Sequence, residues 1–191
     1  GGRVSAGVRA TARARSGESA SVMFGRRWRS EEAVGFNDQS NLDGEATDWV
    51  ASGQIDLGSG FGAEGRMRLD DESFEIRRID LGVRGQVGRF SATARYFSID
   101  ESLAPPNNPN EELTTAIGVD LVRGWRMQFG LTRDLDSDIN LRQDIRAIYE
   151  DDCTFLEIAY TRSETQRGDI GPDEGVQIRI GLRSLGVFGG S

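Results

Sequence analysis

Histidine is absent from the 191 residues, cysteine occurs once, proline 4 times, and tryptophan and tyrosine 3 times each. Each scarcity excludes something. Without histidine the chain lacks the side chain that most often serves as general base and zinc ligand, and a serine–histidine pair cannot form. No enzyme is expected, and no cofactor or metal. No apolar run approaches the ~18 residues of a membrane-spanning helix, so a helical membrane protein is excluded. The stretch Gly1 to Ala10 lacks the charged-then-apolar order of a signal peptide. Its opening, Gly1-Gly2-Arg3-Val4, runs straight into an alternating pattern and reads as cut from a longer, processed chain. Cations are outnumbered as well, 23 Lys and Arg against 31 Asp and Glu for a net charge of -8. Affinity for nucleic acid comes from neutralising many phosphates, so nucleic acid is not expected as a partner.

What the chain has is apolar–polar alternation of period two, the mark of a half-buried strand. Val4, Ala6, Val8, Ala10, Ala12 and Ala14 alternate with Arg3, Ser5, Arg9, Thr11 and Arg13. A second strand, with Ala20, Val22 and Phe24 on one face, runs to about Trp28, and a polar loop follows from Ser30 to about Ala46. The third spans about Thr47 to Leu57, and Gly58-Ser59-Gly60 turns it into the fourth, where Phe61, Ala63, Met67 and Leu69 alternate with Glu64, Arg66 and Arg68. Past Asp70 to Ser73, the fifth sets Ile79, Leu81 and Val83 against Arg78, Asp80 and Arg84, and the sixth carries Phe90, Ala92, Ala94 and Tyr96. Leu103 to Asn110 contains Pro105, Pro106 and Pro109, which lack the ladder's donor, so it is a loop. The seventh strand has Leu113, Ile117, Val119 and Leu121; the eighth has Trp125, Met127, Phe129 and Leu131. The ninth covers about Ile139 to Tyr149 and the tenth Cys153 to about Arg162; a loop fills Gln166 to Asp173, and the eleventh, with Val176, Ile178, Ile180 and Leu182, ends near Gly186.

This is an all-β chain of about 11 antiparallel strands of ~10 residues. Ordinary strands run to about 5–6 residues, whereas ~9–11 cross a bilayer at a tilt. Length therefore favours an up-and-down transmembrane β-barrel segment, incomplete without N-terminal strands. Two features separate it from a soluble sandwich. Trp28, Trp49, Tyr96, Trp125, Tyr149 and Tyr160 all fall on the apolar face, most near strand ends, as an aromatic girdle requires. The long loops follow the second, sixth and tenth strands, all on one side, which would be extracellular, with tight turns periplasmic. Slipping the fourth strand by one residue would point Glu64, Arg66 and Arg68 at lipid, at about 2–4 kcal/mol for each arginine near the midplane. In this frame Arg66, Arg68, Asp80, Arg84, Asp120, Arg126, Asp144, Arg146, Arg179 and Arg183 line a wet lumen of mixed charge. Arg26 and Gln143 are left facing lipid, and Phe74, Phe97 and Phe155 face inward.

Cys153 stands in Tyr149-Glu-Asp-Asp-Cys-Thr-Phe-Leu-Glu-Ile-Ala-Tyr160, just past an acidic turn. A lone cysteine is ordinarily a buried small hydrophobe. On the periplasmic side, however, disulfides form and persist, and an odd cysteine there calls for an outside partner. This stretch, with Glu174-Gly-Val-Gln-Ile-Arg-Ile-Gly-Leu-Arg-Ser-Leu-Gly186, resembles the C-terminal barrel of the LptD family of LPS-assembly outer-membrane proteins. Phe24-Gly-Arg-Arg-Trp-Arg29 and the hairpin from Arg66 to Arg78 are also similar to family segments, and the likeness is most specific in the final two hairpins.

The resemblance implies that residues 1–191 are the C-terminal portion of a barrel in the Gram-negative outer membrane, with strands from about 3 to 186 and the periplasmic N-terminal jelly roll outside this chain. It implies a translocon component that inserts lipopolysaccharide into the outer leaflet. Sugar would cross the lumen, and lipid would leave through a lateral seam at the last strand, Val176, Ile178, Ile180 and Leu182. Implied partners are lipopolysaccharide, outer-membrane lipid, the remaining barrel strands, the jelly roll, a lipoprotein plug and periplasmic LPS-bridge proteins. Family disulfides tie the jelly roll to the turn matching Cys153; where many members have two adjacent cysteines, this chain has Asp152-Cys153. Two other functions fit the alternation: a general porin or solute channel, and a soluble β-sandwich binding module, which would fold in plain buffer. An isolated barrel piece with raw edges is expected to aggregate.

Three patterns imitate ligand sites. Asp134-Leu-Asp136-Ser-Asp138 opens like a calcium loop, but Ile139 and Ile145 stand where a glycine and a carboxylate are needed. Gly58-Ser-Gly60-Phe-Gly62 resembles a phosphate cradle without the helix that should follow. Asp70-Asp71-Glu72 reads most simply as an exposed tip, with divalent cations bridging lipopolysaccharide as its alternative ligand.

Overall fold

The computed structural model describes residues 2–30, 46–104, 109–164 and 172–182, and the backbone of 186–189. The strands are β1 (Arg3–Arg13), β2 (Ser19–Arg29), β3 (Trp49–Asp56), β4 (Gly62–Leu69), β5 (Ile76–Val87), β6 (Phe90–Ile99), β7 (Glu111–Asp120), β8 (Trp125–Asp134), β9 (Ile139–Glu150), β10 (Thr154–Ser163), β11 (Asp173–Leu182) and β12 (Gly186–Gly189). They form one sheet in chain order, and no helix occurs among the described residues. This is the expected up-and-down antiparallel architecture, with one addition. β12 pairs with β11 from Arg179 to Leu182, so β11 is not the last strand of the order. Of the expected long loops, 31–45, 105–108 and 165–171 lie outside the described residues.

The chain divides into two compact units, Gly1–Arg84 with Arg95–Glu112, and Gly85–Ala94 with Leu113–Ser191. In the first, pairing carries the faces from strand to strand. Val8 lies opposite Phe24, Phe24 opposite Ala51, Ala51 opposite Met67 and Met67 opposite Ile79, an unbroken apolar row. The alternate positions hold Arg9, Met23, Ser52, Arg66 and Asp80. A bulge between Arg68 and Leu69 slips the ladder so that Leu69 meets Ile76. In the second unit Phe129, Ile145 and Tyr160 form one row with Val176, while Ala159 joins Arg146 and Gln177 on the other face.

Several tight turns carry a glycine with positive φ, and the turn between β7 and β8 shows why it is needed there. Gly124 has φ +79°, and a Cβ on it would collide with the Glu150 carbonyl oxygen.

Among the described residues no second layer covers the apolar face. Among the described residues Leu103 and Ala159 are the only buried hydrophobics, whereas Val8 is 73% exposed, Phe129 46% and Trp125 37%. A sandwich would cover these side chains, at about 1.5–3 kcal/mol for each large one buried. A face left bare in this way does not favour the soluble sandwich.

Candidate functional site: the polar face and its rims

On the polar face most arginines bring their own carboxylate. Arg78 grips Asp80 with Nε and Nη2, both at 2.9 Å, while Arg66 stands opposite Asp80 in the ladder. Arg84 lies flat over Gly62, where a Cβ would sit 2.8 Å from its Cζ, and so reaches Asp56. In the second unit Arg126 pairs with Asp120 at 2.5 Å, Arg146 with Asp144 at 3.4 Å and Arg179 with Glu157 at 3.5 Å. Exposed pairs of this kind add at most about 1 kcal/mol each. Their effect is to offset much of the charge that these arginines bring to the face. Of the expected lining residues, Arg183 lies outside the described residues.

Rings gather near strand ends in each unit. In the second unit Trp125 and Tyr149 face each other across the ladder, centroids 5.2 Å apart. In the first unit Trp49 stacks on Phe24 at 4.8 Å and on Phe74 at 6.0 Å, with Trp28 edge-on at 6.3 Å. Tyr160 donates to Glu174 Oε2 at 2.7 Å. Tyr96, in β6, alternates against Phe97, which sits under the Arg78 guanidinium at 4.8 Å.

These contacts account for the misplaced residues. Arg26 does face the apolar side, but its guanidinium lies 4.9 Å from the Trp49 ring and 5.3 Å from Trp28, and Nη2 reaches Asp71 at 3.1 Å. A cation over rings gains about 0.5–2 kcal/mol. Phe74 corrects the inward expectation: the ladder slip and its own φ of 61° put it on the Trp49 stack. Phe97 and Phe155 stay on the polar face, Phe97 under Arg78 and Phe155 opposite Gly181, which has no side chain to compete for the space. Gln143 shares its rung with Leu131 and Arg162, at a level where Arg162 already reaches Glu164 at 2.7 Å.

The acidic turn is an exposed tip only in part: Glu72 is exposed and Asp71 half-buried, but the turn's first carboxylate is not. Asp70 is buried, and so is Asp48, only 3% exposed. The carboxylate oxygens of Asp48, Asp70 and Asp71 approach within 4.8 Å of one another. Arginines fill the cluster: Arg68 on Asp48 at 2.9 Å, Arg77 on both Asp48 and Asp70, and Arg26 on Asp71. With three cations on three carboxylates, the group is a neutral ion-pair network. Burial pushes the Asp48 carboxyl up, against the pull of Arg77 and Arg68. Backbone N–H groups of Ser73 and Glu72, at 2.7 and 3.0 Å, bring Asp70 down to about 2, helped by Ser73 Oγ and Arg77. Likewise the Asp134 run is a hydrogen-bonded turn, its carboxylate accepting from the backbone of Asp136 and Ser137.

Cys153 is an exposed free thiol, contrary to the ordinary expectation of burial. Asp151 builds its turn, accepting from the backbone N–H of Cys153 at 2.9 Å and of Thr154 at 2.6 Å and from Tyr149 Oη at 2.8 Å. Those donors, Cys153 N–H first, hold the Asp151 carboxyl below the usual carboxylate range. In β11, Val176, Ile178 and Ile180 are exposed on the apolar face, and Leu182 lies where β12 attaches.

The lining set read from sequence omits the arginines of the first hairpin. Arg9 and Arg27 stand on the same polar face, and the usable signal was local charge: seven arginines and one carboxylate between Arg3 and Arg29, in a chain of net charge -8.

A sequential antiparallel sheet with one hydrocarbon face rimmed by rings and one face of ion pairs is the construction of an outer-membrane β-barrel protein. Comparison with protein families narrows that class: residues 1–144 match LptD, LPS transport system D, and the chain belongs to that family. It is a family of lipopolysaccharide transport components, not of enzymes. The match ends before Tyr149 to Gly186, the stretch in which the likeness reads most specifically, so Cys153 and β11 lie beyond it. No curated protein matches the chain.

Proposed function

We propose that residues 1–191 are the C-terminal portion of the barrel of an outer-membrane translocon that inserts lipopolysaccharide into the outer leaflet. Saccharide moves along the polar face, and lipid leaves through a lateral seam at the edge formed by β11 and the short β12 paired to it. The carrying observation is the contrast of the two faces: one exposes Val8, Phe129 and Ile178 to hydrocarbon, and the other balances its own charges as Arg126–Asp120 and Arg179–Glu157. Within the established family, that combination suits a charged glycolipid whose two halves need different solvents at once.

The test is exposure of newly made lipopolysaccharide at the cell surface, with the full-length protein carrying Arg126→Glu and Arg146→Glu. Each change sets like charges together where an ion pair stood. We expect surface lipopolysaccharide to fall several-fold at normal barrel abundance. Unchanged lipopolysaccharide with altered uptake of small solutes would make the protein a channel instead.

Orientation belongs to the same reading. Long loops are extracellular, tight turns periplasmic, and the Cys153 thiol bonds to a cysteine of the periplasmic jelly roll; a lipoprotein plug and bridge proteins complete the machine. Non-reducing electrophoresis of the full-length protein is expected to show a crosslink that reductant removes and Cys153→Ser abolishes. A thiol that a membrane-impermeant maleimide labels from outside intact cells would invert this orientation.

A further inference from the structure

Within the first unit, the polar face of the β1–β2 hairpin does not follow the pairing rule. The register sets Arg3 opposite Arg29, Arg27 opposite Ser5, Arg9 opposite Met23 and Arg13 opposite Ser19. Taking the Arg3 rung as zero, the rungs of Arg27, Arg9 and Arg13 follow at about 7, 20 and 33 Å, at ~3.3 Å per residue. Arg27 Nε donates to Ser5 Oγ at 3.1 Å, and Arg9 Nη2 lies 3.6 Å from Met23 Sδ. Among the described residues no carboxylate pairs with Arg3, Arg9, Arg13 or Arg27. Like charges gathered on one ladder weaken it.

Between the Arg27 and Arg9 rungs lies Gly7 opposite Gly25. A Cβ on Gly7 would meet the Phe24 carbonyl oxygen at 2.9 Å, and one on Gly25 the Ala6 carbonyl oxygen at 2.6 Å. The rung must be bare backbone, and it floors a recess of about 560 Å³ whose lining includes Ser5, Arg9, Met23 and Arg27.

We propose that this recess binds a phosphate group carried on a saccharide, with Arg9 and Arg27 closing on it from either side. Arg3 and Arg13 extend the site into a track along the strand. A guanidinium fork matches phosphate oxygens in pairs, and it is less strongly hydrated than an ammonium, so it gives up water readily. A sugar bearing hydroxyls alone would have no use for four uncompensated cations. The saccharide rests on the lipopolysaccharide reading above; the anion rests on the hairpin itself.

The test uses the full-length protein extracted in zwitterionic detergent, with lipopolysaccharide, the same material stripped of phosphate, and inorganic phosphate as probes. Arg9→Gln with Arg27→Gln is expected to weaken lipopolysaccharide binding about a hundredfold and to flatten its salt dependence, since two charged hydrogen bonds are lost. Weaker binding of the stripped material should not change, and Arg9→Lys with Arg27→Lys should recover part of the loss. Arg15→Gln with Arg89→Gln removes the same charge from turns and should have no effect. Heat-modifiable mobility on gels certifies that each variant is folded. An equal loss in the turn control reduces the effect to bulk charge and overturns the site. Undiminished binding in the Arg9/Arg27 variant overturns it too, while leaving the transport reading intact. Phosphate bound through Arg9 and Arg27, with no affinity for lipopolysaccharide, keeps the anion site and sinks the saccharide.

Discussion

Two neighbouring parts of the first unit treat arginine in opposite ways. At the β3–β5 corner Arg68 and Arg77 sit against Asp48 and Asp70, and the two carboxylates are buried. In the β1–β2 hairpin Arg9 and Arg27 stand exposed, with a hydroxyl and a thioether as company. The corner uses guanidinium to hold a turn in place. The hairpin leaves it available. The difference teaches that an arginine's role is set by its distance to carboxylate rather than by the face it occupies.

The sharpest way to break the comparison is to delete one arginine from each part. Arg68→Ala abandons a buried carboxylate and should cost about 3 kcal/mol or more in unfolding free energy. Arg9→Gln should change stability by less than about 0.5 kcal/mol, as exposed substitutions usually do. Urea titration of the detergent-extracted barrel measures both, and equal losses would erase the distinction.

A smaller effect comes with acid. The Asp70 carboxyl lies lower in the folded chain than its ordinary value, so its contribution is complete above about pH 4 and fades as pH falls toward about 2. Asp48 is shifted upward and works in the opposite sense, its contribution present at low pH and lost as pH rises through its folded value. Trp49, stacked on Phe74 of the same turn, should report the loosening as a fluorescence change between about pH 4 and 2 that Asp70→Asn removes. A flat signal through that window would mean that Asp70 does not hold the turn.

Most of the sheet was legible because period two survives in nearly every strand, and Val8, Phe24, Met67 and Ile79 fall where alternation puts them. Phe74 was not. The slip after Arg68 and a left-handed backbone at a bulky residue leave no trace in a pattern of polar and apolar letters. Nor was β12, whose 4 residues, Gly-Val-Phe-Gly, are too short to show a period. The burial of Asp48 and Asp70 depends on Arg77 arriving from the next strand, a tertiary event. The hairpin arginines were visible all along as local charge, but averaging over a chain of net charge -8 concealed them.

Arg26 has one more consequence. Clasped between Trp28 and Trp49 and tethered to Asp71, it is held near the end of β2, where the apolar face meets the acidic turn. Drawing that level into hydrocarbon would strip water from an ion pair, at several kcal/mol per ion before the pair's own attraction is counted. In a membrane the clasp would act as a waterline that resists deeper burial.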